Sequence, residues 1–153
     1  MLTAGRPKID PDPALANIGY VQGDAERIAF PDNSFDVAMV GFGIRNLTHL
    51  QRGFTEMHRV LKPGGRILCL EFSRPANPMF RTLYDFYSFN IMPLLGGLIT
   101  GAAQSYACLP ETIRMFPLPG ELSALLGRIG FQRVNYRVFT NGIAVAHVGV
   151  KRG

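Results

Sequence analysis

A helical stripe that runs through Leu61-Lys62-Pro63-Gly64-Gly65 into an unbroken apolar run constrains this chain more than any other feature. Leu47, Leu50, Phe54, Met57 and Leu61 recur at steps of three and four, which places them on one face of a helix lying on a core. Asn46 or Thr48 can cap its start. Pro63 cannot continue the helix, and Gly64-Gly65 can take the left-handed conformation that closes it. Ile67 to Leu70 then reads as a parallel strand covered on both faces. Ligands of open α/β sheets sit outside the carboxyl ends of such strands, and Glu71 and Ser73 stand at that end.

The rest of the chain repeats this rhythm with one interruption. Ile18 to Gln22 reads as a short strand ending at Gly23-Asp24-Ala25, and Pro31-Asp32-Asn33-Ser34 is turn chemistry. Phe35 to Phe42 reads as a second strand. Residues 76–117, rich in Phe, Tyr, Leu, Ile, Gly and Pro, read as an inserted helical cap. A helix over Glu121 to Ile129 follows, then strands over Phe131 to Thr140 and Ile143 to Val150. Asn141-Gly142 between them favours a tight hairpin turn. Residues 1–17 are polar and irregular, with three prolines. The expected organisation is a single α/β domain over residues 1–153.

Composition excludes several classes. The chain is 47% hydrophobic and 18% charged, so it can bury a core. The net charge of +5 comes from scattered arginines rather than a basic face, which argues against a nucleic-acid partner. Cys69 lies inside the apolar strand and reads as a reduced buried thiol. Neither it nor Cys108 has the spacing of a metal site, so no metal is expected. The run Ile91 to Ile99 is too short to span a bilayer and is broken by Pro and Gly. The opening residues do not read as a signal peptide, and a cytoplasmic, reduced compartment is expected.

The chain resembles the UbiE-type ubiquinone/menaquinone biosynthesis C-methyltransferases. The resemblance rests on Leu61-Lys62-Pro63-Gly64-Gly65 with Glu71-Phe72-Ser73, and on Gly23-Asp24-Ala25-Glu26. It also takes in Phe30 to Asp36, Phe42-Gly43-Ile44-Arg45-Asn46, Tyr84-Asp85-Phe86-Tyr87-Ser88-Phe89 and Ser105-Tyr106, within a span from Met1 to Lys151. It implies a Rossmann-like class I fold dependent on S-adenosylmethionine (SAM), with a mostly parallel sheet and an antiparallel hairpin at one edge. It further implies methyl transfer from SAM to a ring carbon of a demethylmenaquinol or a 2-polyprenyl-6-methoxy-1,4-benzoquinol. Met1-Leu2-x-x-Gly5-Arg6 matches the stretch just after the family's ribose-gripping acid. The sequence is therefore expected to represent the C-terminal part of a member, without the first strands and glycine-rich loop. By itself it is expected to hold SAM poorly or not at all, to lack methyltransferase activity, and to form a homo-oligomer or fold poorly, because the strand at Phe35–Phe42 presents an edge with Val37, Met39 and Val40 exposed. The alternatives are an inactive fragment or interaction module of the same fold, and a methyltransferase for another small acceptor.

The resemblance assigns Asp24 and Ala25 to the adenine, with a turn-capping aspartate as the plain alternative. It places Gly41, often Ser in the family, against SAM. Arg45 is the expected catalytic group, because methylating an aromatic carbon needs an electron-rich ring and a guanidinium stabilises the phenolate that develops. Its alternative is a surface ion pair near a helix start. Asn46 can orient the same hydroxyl or serve as a plain cap. Tyr84 and Tyr87, with Phe86, Phe89, Met92 and Leu94, are expected around the polyprenyl quinol or as a cap core. The apolar cap also implies peripheral contact with the inner face of a membrane. His49, His58 and His147 read as solvated or core histidines.

Overall fold

The computed structural model describes residues 17–75, 77–87, 91 and 111–153. Its elements are β1 (Phe35–Gly41), a 3₁₀ turn (Ile44–Asn46), α1 (Leu50–Val60), β2 (Leu61–Phe72), α2 (Pro78–Phe86), α3 (Pro119–Ile129), β3 (Phe131–Phe139) and β4 (Ala144–Lys151). The four strands form one sheet in the order β1-β2-β4-β3. β1 runs parallel to β2, and the β3–β4 hairpin joins β2 antiparallel. The result is the α/β layering expected, with the antiparallel hairpin beside the parallel pair.

The core forms where α1 and α3 press on one face of the sheet. Phe54 and Met57 of α1 meet Leu122 and Leu126 of α3 over Ile67, Cys69 and Phe131. Burying each large side chain stabilises by about 1.5–3 kcal/mol. β2 alternates rather than being covered on both faces as expected: Ile67, Cys69 and Glu71 are buried, while Leu68, Leu70 and Phe72 are half-buried. The difference arises because α1 and α3 lie on the same side. Burial pushes the Cys69 thiol up to about 12, so it is an inert apolar group.

Pro63-Gly64-Gly65 does not close the helix. Leu61 is already extended, and its N–H reaches the Met57 carbonyl. Phe35 pairs with Leu61 but Val37 pairs with Arg66, so residues 62–65 bulge out of the β1–β2 ladder. Gly64 takes a left-handed φ of +78° there. A Cβ on Gly65 would lie 2.8 Å from the Lys62 carbonyl oxygen and 3.1 Å from that of Asp36. Lys151 holds the same corner, donating to the Leu61 carbonyl at 2.7 Å and the Arg59 carbonyl at 3.3 Å.

The start of α1 also differs. Neither Asn46 nor Thr48 caps it. His49 is the N-cap without a side-chain cap bond, and its N–H donates to the Glu26 carboxylate at 2.8 Å. An acid from a neighbouring turn thus takes the free donor, as a helix amino end favours. Ile18–Gln22 is irregular, not a strand, and only Asp24 and Arg27 make an isolated bridge nearby. A strand needs a ladder partner, and this segment has none among the described residues. The hairpin turn is longer than the two residues expected, because Phe139 pairs with Ala144 across four. Asn141 still takes the left-handed φ of +54° that its turn chemistry favours.

Val37 is 51% and Met39 70% exposed on β1, whereas Val40 packs against the core, contrary to the expectation for it. The cap enters the described residues only through α2, Ile91 and residues 111–117. Phe89, Met92, Leu94, Ser105, Tyr106, Cys108 and residues 1–16 lie outside them. No helix among the described residues is long and apolar enough to cross a membrane.

Candidate active site

The parallel register that pairs Gly41 with Leu70 sets the end of β1 beside the end of β2. The chain leaves β1 through Phe42, at a φ of +53°. A bulky residue held there costs on the order of 1–3 kcal/mol, and such strain gathers at functional sites. Phe42 stays on the sheet through its N–H, which donates to the Leu70 carbonyl at 2.9 Å. The 3₁₀ turn then folds back, and Arg45 comes to lie over the end of β2.

Arg45 meets Glu71 there. Its Nη1 donates to Glu71 Oε1 at 2.6 Å and to the Phe42 carbonyl. The side chains are 10% and 2% exposed, so this is a buried ion pair. The Arg45 backbone N–H reaches Glu71 Oε2 at 3.4 Å, and the Phe72 N–H donates to Oε1 at 2.9 Å. The guanidinium lies 5.5 Å from the centre of the Phe72 ring. Arg45 Nε is buried and has no hydrogen-bond partner among the described residues. Nη2 likewise carries no bond among the described residues.

Arg45 faces a cleft of about 440 Å³ whose wall includes Asn46, Leu47, Thr48, Met115 and Phe116. Asn46 is exposed at its rim. The cleft therefore combines an apolar wall with a clamped cation, an arrangement suited to an oxygen-bearing organic ligand. Tyr84 and Tyr87 are not part of its described wall: Tyr84 is half-buried on α2, and Tyr87 is 44% exposed beyond it. Phe116 separates the cleft from a tight gap lined by Glu71, Ser73 and His147. The His147 Nε2 donates to the Pro119 carbonyl at 3.0 Å, which requires the proton on that nitrogen. Burial holds the His147 pKa below its ordinary value.

Asp24 occupies an exposed turn, where its Oδ1 accepts from the Glu26 N–H at 2.8 Å. Ala25 follows half-buried. Glu26 connects this turn to the start of α1, close in sequence to Asn46. Arg59 fixes the next stretch: it bonds the Ile28 and Phe30 carbonyls, Asp32 and Glu56, and Glu56 also accepts from the Ile28 N–H. At Gly41 a Cβ would meet nothing within 4 Å, so open space lies against the backbone at the end of β1. That space and the exposed Asp24 turn leave room for a ligand at this end of the sheet.

Glu71 is the group that sequence reasoning left without a role. A carboxylate closing a buried apolar strand demands a cation, and that demand was the available signal.

The sequence model of the ubiE/COQ5 methyltransferase family matches residues 1–151. The chain is 49% identical over 151 residues to the ubiquinone/menaquinone biosynthesis C-methyltransferase UbiE of Ectopseudomonas mendocina (strain ymp), covering 99% of itself and 59% of that relative. It is 47% identical to the mitochondrial 2-methoxy-6-polyprenyl-1,4-benzoquinol methylase of Bos taurus, covering 99% of itself and 46% of that protein. The chain thus spans about half the length of these curated relatives. Among solved structures it is similar to a SAM-dependent methyltransferase from Aquifex aeolicus, with a TM-score of 0.61 at 15% identity over 97% of this chain and 62% of that one. A SAM-dependent methyltransferase from Thermotoga maritima matches with a TM-score of 0.61 at 20% identity, over 86% of this chain and 63% of that one. At these identities the likeness is one of fold.

Proposed function

Because the chain belongs to the ubiE/COQ5 methyltransferase family, we propose that the fold it builds transfers a methyl group from SAM to a ring carbon of a polyprenyl quinol. A demethylmenaquinol or a 2-polyprenyl-6-methoxy-1,4-benzoquinol fits this reading. The observation that carries it is the buried Arg45 guanidinium with unused donors at a cleft outside the carboxyl ends of two strands.

SAM would be held by Asp24 at its adenine, by Ala25 through the backbone and by the open space at Gly41. When bound, it supplies an electrophilic methyl on a sulfonium centre. The acceptor hydroxyl would give its proton to water, and Arg45 stabilises the negative charge left on its oxygen. The ring carbon made nucleophilic in this way would lose its own proton to water as it gains the methyl. The Arg45 guanidinium stays charged at any working pH. Asn46 orients the same oxygen or a water from the rim. Much of the rate comes from holding donor and acceptor aligned. Met115 and Phe116 provide the apolar wall, and Tyr84 of α2 with Tyr87 just beyond it serves the prenyl side.

Met79, Leu83, Phe86 and Tyr87 are exposed together along and just beyond α2. That face supports peripheral attachment to the membrane that dissolves the substrate, at the cytoplasmic side. Vesicle flotation checks it. The direct test of function is a methylation assay on a chimera that completes this chain with the part of a relative it does not cover. Methylated quinol supports the reading; methylation of a small soluble phenol alone would favour another acceptor.

One observation favours a second reading, an interaction module of the same fold. β1 is paired on one side only among the described residues, with Val37 and Met39 exposed. Such an edge recruits another strand, including one from a second copy. Light scattering on the chain decides between a homo-oligomer and a monomer.

A further inference from the structure

The Arg45–Glu71 pair is more than an ion pair between two buried charges. A guanidinium has five N–H donors in a planar fork. In Arg45 both donors of Nη1 are taken, by Glu71 Oε1 and the Phe42 carbonyl. Nε and Nη2 form the opposite edge, and that edge has no partner among the described residues. Glu71 is itself fixed. Its Oε1 also accepts the Phe72 N–H at 2.9 Å, and its Oε2 lies 3.4 Å from the Arg45 backbone N–H. One carboxylate therefore grips residue 45 at both its main chain and its side chain. Phe72, the next residue, lies beneath the guanidinium at 5.5 Å.

We infer that Glu71 is a positioning residue that holds Arg45 by Nη1 and thereby presents its Nε–Nη2 edge to the acceptor oxygen. This rests on the reading of Arg45 as the group that meets that oxygen. Two parallel N–H donors on a fixed plane match one phenolate oxygen or two neighbouring ring oxygens. A freely rotating guanidinium would offer the same charge without a direction. Glu71 does not touch the substrate. It also neutralises Arg45 while the site is empty, which lets a cation remain buried there.

Arginine side-chain NMR on the ¹⁵N-labelled chain tests this without requiring methyl transfer. Arg45→Lys and Arg59→Lys assign the two Nε–H signals by their disappearance. Glu71→Asp keeps the charge and shortens its reach by one methylene. The expected result is exchange of the Arg45 Nε–H with water about tenfold faster, the scale of one lost hydrogen bond. The Arg59 Nε–H should be unchanged, which separates local release from general loosening. Equal acceleration of both signals, or of neither, would overturn the positioning role. Should Glu71→Asp fail to fold, the unmutated chain still decides. Clamping at Nη1 predicts separate Nη1 and Nη2 signals for Arg45, and a single averaged signal would overturn it. Added 4-nitrophenolate should shift the Arg45 Nε–H signal. A held Arg45 that ignores 4-nitrophenolate leaves the positioning intact and contradicts the phenolate reading instead.

Discussion

Two arginines of this chain each pair with a glutamate, and they are used in opposite ways. Arg59 is saturated. Its Nε bonds Glu56 Oε1, its Nη1 bonds Asp32 and the Phe30 carbonyl, and its Nη2 bonds Glu56 Oε2 and the Ile28 carbonyl, all at 2.7–2.8 Å. Three of these donors hold the loop of residues 28–32 against α1, and two grip Glu56 on the same helix, which itself accepts the Ile28 N–H. Arg45 is better buried, yet among the described residues only its Nη1 is engaged. A guanidinium with all five donors filled fastens chain to chain. One fixed by a single nitrogen, with a buried unpartnered Nε, keeps an edge for something else. The difference shows that burial alone does not tell how a guanidinium is used, whereas the count of unspent donors among the described residues does.

The largest expected effect is at Arg45. Arg45→Ala should lower kcat for quinol methylation by about 10²–10³, near 3–4 kcal/mol, as for loss of one oxyanion donor. SAM affinity measured by calorimetry should barely move. A mutant with normal kcat and a raised KM would reduce Arg45 to a binding group and weaken the contrast with Arg59.

The contrast had to come from the structure, for a physical reason. Periodicity is local, so α1 and β2 were legible from Leu50, Phe54, Met57 and Ile67 to Leu70. Turn chemistry is local too, and the left-handed Gly64 and Asn141 follow from it. What local chemistry does not fix is the partner. Arg45 and Glu71 stand far apart in sequence and meet only through the parallel register of Gly41 with Leu70. Likewise Glu26 displaced Asn46 and Thr48 from the start of α1 by arriving from another turn. Ile18–Gln22 has strand composition, but composition does not supply a neighbour to pair with.

Acid should separate the two clusters next. His147 lies behind the Arg45 cleft, buried, with its pKa held below the ordinary 6.5. The unfolded chain therefore binds that proton first, and stability falls as pH drops below about 6.5. One such group contributes a slope of up to about 1.4 kcal/mol per pH unit. His58, also held low by burial, acts in the same direction. Glu56 is held below its ordinary 4.5 by its hydrogen bond to Arg59. Its contribution is present above about 4.5 and is lost only as pH falls through its lower folded value. Melting curves should thus weaken between pH 6.5 and 4.5 while the Arg59 cluster is intact, and His147→Gln should flatten that slope.

The smallest effect concerns the outer edge of the saturated cluster. The Asp32 side chain is 68% exposed where it meets Arg59. Asp32→Ala should cost only about 0.2–1 kcal/mol by chemical denaturation, the range of surface pairs. A much larger loss would mean that Arg59 depends on this one acid rather than on its full set.

Lysine at each of the two positions tests the central claim most directly, because it keeps the charge and removes the planar fork. Melting temperature and kcat should be measured side by side on the completed chimera and its Arg45→Lys and Arg59→Lys forms. Arg45→Lys should lose turnover with little change in melting, and Arg59→Lys should lower melting while the folded fraction turns over normally. Equal loss of both properties in both variants, or turnover unaffected by Arg45→Lys, would contradict the claim.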